Sequence, residues 1–175
     1  MHVAPEFSRP FALEGVPPGG ISVSLVATPE ECVALARRLE LVRLDRLAGE
    51  VRLERVGADL VHLDGRVRAA LAQRCVVTLD PVEASVDAGF ERLFSRSLPL
   101  EETGEVEVDP EALLPEPVPA DGLDLGEILA EELSLALDPY PRSPEADARL
   151  AGGIDQPTEI QAKSAFAVLS SLKKH

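Results

Sequence analysis

From Asp45 to Phe94 apolar and polar side chains alternate, the two-residue period of strands with one dry and one wet face. Val51 and Leu53 interleave with Glu50, Arg52 and Glu54, and Gly57-Ala58-Asp59 supplies a hairpin turn. Beyond it Val61, Leu63, Val67, Ala69, Leu71, Cys75, Val77 and Leu79 share one parity. His62, Asp64, Arg66, Arg68, Arg74, Thr78 and Asp80 share the other. A strand of that length is unusual, so the pattern predicts a bulge or bend near Gly65 or Gln73. After Asp80-Pro81 the alternation resumes through Val82, Ala84, Val86, Ala88 and Phe90. The prediction is an antiparallel meander.

Two segments keep a helical period instead. In TPEECVALARRLEL, Thr28 is an N-cap, Pro29 suits the first helical position and Glu31 completes a capping box. Cys32, Leu35, Ala36 and Leu39 fall on one face. In LDLGEILAEELSLALDP the apolar stripe is Leu125, Ile128, Leu129, Leu133, Ala136 and Leu137. Asp124 caps that helix, Glu127 takes the capping-box position and Asp138-Pro139 ends it. Its stripe is expected to cover the dry side of the sheet, leaving its glutamates as a solvated face. Ahead of all this, EFSRPFALEGVPPGGISVSLVA reads as two extended pieces around a Pro-Pro-Gly-Gly turn.

The fold class that follows is α+β: a mostly antiparallel sheet, open or partly closed into a barrel, packed by helices near 29–41 and 124–138. Residues 1–138 form this domain, with an acidic loop at about 99–122 and the acidic helix at about 124–138. Residues 139–163 have no period and read as a flexible linker. Residues 164–175 end in SAFAVLSSLKKH, where Ala165, Val168, Leu169 and Leu172 share a helical face beside Phe166. Two destinations are open to that motif: its own domain, or a partner on which it orders.

Charge changes the picture. The formal net charge of -14 is lopsided. Residues 1–80 hold ten Arg and eleven acids, while the remainder holds seven bases and twenty acids. Residues 101–138 contain thirteen acids and no base. Such a field repels phosphate backbones and suits a basic partner. Nothing approaches the ~20 apolar residues of a membrane span and no secretory signal opens the chain, so a soluble cytoplasmic protein is expected. With Trp absent and aromatics few, the core must be aliphatic.

Candidate chemistry is sparse. Cys32 and Cys75 lie far apart, and no HxxxH, HExxH or CxxC spacing occurs, so neither metal nor other cofactor is expected. Cys75 stands beside Arg74, but neighbours on a strand point to opposite faces, so the guanidinium is badly placed to activate the thiol. A packed thiol is the expectation, and no catalytic residue is assigned.

Three segments taken in order, AQRCVVTLDPV (72–82), GLDLGEILAEELSLALDPYP (122–141) and FAVLSSLKK (166–174), together with the EFSRPF opening, resemble the YceD-type large ribosomal RNA subunit accumulation proteins. That resemblance implies a bacterial role in synthesis, processing or accumulation of large-subunit (23S) ribosomal RNA, with no known enzymatic activity. Many members carry a CxRC-type pair where this chain has Ala72-Gln73-Arg74-Cys75, and some carry further cysteines after the acidic helix, where PYPRSPEADARLAGG has none. One sulfur does not make a closed zinc site, so any metal role of those members does not carry over.

Three functions are weighed. The first is a non-catalytic ribosome-assembly factor that binds a basic ribosomal protein or large-subunit precursor. The second is direct 23S RNA binding by an arginine-bearing sheet face, Arg52, Arg66, Arg68 and Arg74 with Arg55. The third, least supported, is a small-ligand binder or enzyme. The candidate binding residues are Arg66, Arg68 and Arg74 on the sheet, Glu127, Glu131 and Glu132 on the acidic helix, and Phe166, Leu169, Leu172 and Lys173 in the terminal motif.

Overall fold

The computed structural model describes residues 5–97, 113–119 and 122–151. Five strands make one open sheet: β2 (Ile21–Val26), β3 (Arg43–Val56), β4 (Leu60–Arg74), β5 (Pro81–Ser95) and β6 (Pro115–Pro117), in that spatial order. Every pairing is antiparallel except β5 with β6. A two-stranded ribbon joins β1 (Pro10–Phe11) to β7 (Leu123–Asp124). The helices are α1 (Pro29–Arg38), α2 (Leu125–Ala136) and α3 (Pro144–Ala151). The architecture is α+β, and the sheet does not close into a barrel.

The period-two reading places the meander well. Leu47, Val51 and Leu53 of β3 and Val61, Leu63, Val67, Ala69 and Leu71 of β4 are all buried on one face. The bulge lies elsewhere. Residues 60–74 form one unbroken strand of 15 residues, and the register shifts in β3 between Leu44 and Arg46. Alternation past Arg74 was misleading, because β4 ends there and residues 75–80 form a turn. Val77 and Leu79 are exposed in that turn, and Leu79 adopts a left-handed φ of 65°.

Both helices cover the dry face. Thr28 and Glu31 form the expected capping box of α1, which buries Cys32, Leu35 and Ala36. From α2, Leu125, Ile128, Leu129 and Leu133 are buried. The close approach of α2 to the sheet needs Gly49: a Cβ there would stand 2.5 Å from Leu129 Cδ1 and 2.9 Å from the Arg66 carbonyl oxygen.

Asp124 ties the N-terminal segment to this helix. One carboxylate oxygen accepts from the amides of Arg9 (2.7 Å), Gly126 (3.0 Å) and Glu127 (3.1 Å), the other from the Ser8 hydroxyl (2.5 Å). Phe7 is fully buried beneath. Glu127, expected to close a capping box with Asp124, turns instead to Arg38.

Residues 139–151 depart from the expected linker. Gln73 donates to the Asp138 carbonyl at 2.8 Å, Val76 to the Pro141 carbonyl at 2.9 Å, and Ala146 of α3 is fully buried. This segment packs against the turn that follows β4.

Candidate functional site

The wet face of the sheet carries the candidate RNA-binding arginines, and its carboxylates neutralise Arg52, Arg66 and Arg68. Arg68 lies directly across from Asp87, and Arg66, two residues back along β4, reaches the same carboxylate diagonally. That contact holds the Asp87 carboxyl below its ordinary pKa, the Arg66 hydrogen bond being the leading cause. Arg52 pairs with Glu54, and Arg43 with Asp45 and Glu83. Arg55 donates to the carbonyl of Leu13 at 3.1 Å. Arg74 is the expected residue with no acidic partner among the described residues. A concavity of about 510 Å³ on this face is lined by Glu50, Arg52, Asp64 and Arg66, with Ser22 and Ser24. Two cations and two anions make it close to neutral, unlike a phosphate cradle.

The acidic helix does not present a solvated face. Glu127 receives Arg38 at 2.5 Å, and Arg38 also holds Glu6 at 3.1 Å. Glu131 receives Arg92 at 2.7 Å, and Glu132 lies 3.9 Å from the same guanidinium. Arg92 also grips Glu116 of β6 through two nitrogens, at 2.9 and 2.7 Å, and lies 5.6 Å from the Phe94 ring centre. One cation thus joins β5, β6 and α2. Burial raises the Glu132 pKa, opposed by Arg92 and reinforced by Glu131 and Glu116. Glutamates that patterning assigned to solvent are ion pairs within the fold, a long-range pairing that local spacing does not encode.

Cys75 is buried, as expected, but its surroundings are more specific than a packed thiol. The chain folds into a turn in which the Cys75 amide donates to the Asp80 carbonyl (2.8 Å) and the Leu79 amide to the Cys75 carbonyl (3.0 Å). Three further amides point at the sulfur: Thr78 (3.4 Å), Val77 (3.5 Å) and Ser143 (3.4 Å). With the Thr78 side chain as the leading cause and these amides behind it, the thiol is lowered to about 6 against the effect of burial. Arg74 plays no part, in line with its opposite orientation. Cys32 goes the other way, raised chiefly by burial. The Asp80-Pro81 turn and the threonine were the legible signals for this arrangement, while Ser143 was not.

Ser143 matters for a second reason. The segment after α2, where relatives were expected to carry additional cysteines, is in hydrogen-bond contact with Cys75. Here it brings an amide rather than a second sulfur. Among the described residues no group of three or more His, Cys, Asp or Glu is placed to hold a metal ion. No described helix is long and apolar enough to cross a membrane.

Phe166, Leu169, Leu172 and Lys173 lie outside the described residues, as does most of the acidic loop.

Compared with known proteins, residues 63–173 match the family model described as "Large ribosomal RNA subunit accumulation protein YceD". No curated protein and no solved structure matches the chain.

Proposed function

The chain belongs to the YceD family of large ribosomal RNA subunit accumulation proteins, and from that premise we propose that it is a non-catalytic, cytoplasmic biogenesis factor. It supports synthesis, processing or accumulation of 23S ribosomal RNA by binding a basic ribosomal protein or a large-subunit precursor. Family membership supplies the large-subunit role, and the physics of the chain favours the mode.

The observation that carries this reading is where the arginines go. Arg9, Arg38, Arg43, Arg52, Arg66, Arg68, Arg92 and Arg96 are all committed to carboxylates of their own chain. A net charge of -14 remains, carried by acids in excess of those pairs. Charge of that sign and size steers a cationic protein inward and an RNA backbone away. In this reading Glu127, Glu131 and Glu132 brace the fold. Electrostatic attraction falls to the acids in excess of those pairs and to the acid-rich run 101–111, and Phe166, Leu169, Leu172 and Lys173 add an anchor at the chain's end.

Direct contact of Arg66, Arg68 and Arg74 with 23S RNA is the weaker reading. Two of the three share Asp87, and an RNA phosphate would have to displace it. Filter binding over a salt series separates the two, since phosphate contacts impose a steep salt slope.

The decisive experiment is affinity purification of the intact chain, of a chain lacking residues 152–175, and of one with the acids of 101–111 changed to amides. Bound proteins and RNA are both identified. The expected result is a basic large-subunit protein held by the intact chain and lost or depleted in both variants. Recovery of no ribosomal component overturns the proposal. Retention of RNA alone, with a steep salt dependence, replaces it with the RNA reading.

A further inference from the structure

Among the described residues the outer edge of β5 is long and bare. β5 pairs with β4 from Pro81 to Ser95, yet β6 meets it only at Leu93, Phe94 and Ser95. From Pro81 to Arg92 no described strand pairs with the outward side. A row of unpaired backbone groups is a template for another extended segment, and proteins commonly blunt it.

The side chains of this edge say which visitor it refuses. On the wet side stand Glu83, Asp87 and Glu91, four residues apart, with side chains 67%, 53% and 66% exposed. Antiparallel pairing with a second copy centred on Asp87 would set Asp87 against Asp87 and Glu83 against Glu91. Like charges directly opposite are destabilising, so the edge discourages self-association. Each carboxylate has internal contacts, to Arg43, to Arg66 and Arg68, and to His62, but each is exposed enough to accept another donor.

On the dry side, Val82, Ala84, Val86, Ala88 and Phe90 are partly exposed apolar residues. Beside Ala88 and Phe90 a cleft of about 190 Å³ opens against Glu132, Leu135 and Ala136 of α2. Leu135 is 79% exposed. That is room for an apolar side chain arriving on a neighbouring strand.

We propose that the Pro81–Arg92 edge is a strand-addition site for an extended basic segment of a protein partner, one in which lysine or arginine alternates with apolar residues. The cationic side chains meet Glu83, Asp87 and Glu91. The apolar ones extend the dry face and fill the cleft at Leu135. Main-chain hydrogen bonds supply affinity and the alternating pockets supply selectivity, the usual division in strand addition. The inference rests on the proposed basic partner and adds the place where it is gripped.

Amide hydrogen exchange on the full chain tests it. The probe is a synthetic peptide as long as the edge, alternating lysine with valine and threonine, set against the same peptide with glutamate for lysine. The lysine peptide should protect the amides within 81–92 that point away from β4, and the glutamate peptide should not. Glu83→Lys combined with Glu91→Lys should weaken the lysine peptide by about tenfold, two reversed charge contacts at a few-fold each, and admit the glutamate peptide. Unchanged protection of β4 amides certifies that the variant is folded. Protection confined to other elements, or none, overturns the inference. So does finding these amides protected in the free chain and released by deleting residues 152–175, since the chain's own end is then the occupant. If a basic large-subunit protein copurifies but leaves 81–92 unprotected, the edge inference fails while the proposed function stands. If the lysine peptide protects the edge but no ribosomal component copurifies, the proposed function fails and the edge remains a basic-strand site.

Discussion

Replacing Arg92 with methionine keeps the apolar stem and removes the fork that joins β5, β6 and α2. The guanidinium-bearing side chain is only 19% exposed, whereas Glu116 and Glu131 are 42% and 44% exposed. Breaking a fully buried pair costs ~3–5 kcal/mol and an exposed one below ~1 kcal/mol, so this half-screened case falls between. Two charge-assisted contacts at ~1 kcal/mol each after screening, with ~0.5 kcal/mol for the Phe94 ring, suggest a loss of about 2.5 kcal/mol. Urea unfolding should show an unchanged slope and a midpoint lower by ~1–2 M, for a slope of ~1.5–2.5 kcal/mol/M.

The loss should also depend on pH. Glu132 already sits above its ordinary pKa through burial, and Arg92 is the cation opposing that rise. Removing Arg92 raises it further. A carboxyl with a raised folded pKa destabilises the protein above that pKa and ceases to do so once protonated, so the deficit shrinks as pH falls. Adding Glu132→Gln to the methionine variant should recover part of the stability at neutral pH. A loss below ~0.5 kcal/mol, or a deficit unchanged with pH, refutes the reasoning.

Cys75→Ala should become progressively less stable than the wild type as pH rises. The folded thiol sits near 6 against an ordinary 9.0, so its contribution is complete above the ordinary value and lost as pH falls through 6; parallel stability–pH curves for the two proteins would disprove it. Asp124→Ala strips a shared acceptor from Ser8, Arg9, Gly126 and Glu127. It should cost ~2–3 kcal/mol, about 5–10 °C in thermal midpoint, with asparagine recovering part. Because hydrogen bonds to the Arg9 amide and the Ser8 hydroxyl outweigh burial and hold that carboxyl below its ordinary pKa, the wild type's advantage should fade as pH drops through the folded value. Gly49→Ala should cost ~1–3 kcal/mol by driving a methyl into Leu129, and Leu129→Ala in the same chain should add less than it does alone; strictly additive losses by chemical unfolding would argue against the contact.

Where one local rule governed, sequence reading placed the element. Thr28, Pro29 and Glu31 announce α1 because capping chemistry spans four consecutive residues, and alternation finds three long strands because each has a dry side. Where two remote segments meet, the reading ran out. Glu131 and Glu132 look like solvent-facing residues until Arg92 arrives from 39 positions away. Residues 139–151 have no period because α3 is short, with Ala146 the buried apolar position among its described side chains. Past Arg74 the alternation persisted by coincidence, since Cys75, Val77 and Leu79 occupy a hydrogen-bonded turn rather than a strand. The arginine face was read correctly as a face. Its neutralisation by Asp87 needed the β4–β5 register, which no single-strand pattern contains.

Pairing also bears on why the acid excess is interesting. Net charge far from zero keeps a protein soluble but strains its compact state by self-repulsion. Solubility is served by a magnitude of ~2–8 in a small domain, well short of the -14 here. The fold does not need the surplus, because eight of its arginines already have carboxylate partners. Nor are the acids spread evenly: residues 101–111 hold six acids and no base, and the outer edge of β5 carries three carboxylates along twelve residues with no described strand beside them, each touching a base of its own chain yet at least half exposed. Repulsion between those charges is relieved by whatever cation comes to lie there. A basic segment added to the edge would relieve it, would satisfy the open backbone groups, and would place apolar side chains over Leu135. One kind of partner meets all three demands, whereas a phosphate backbone and a second copy of this chain both fail at the carboxylates.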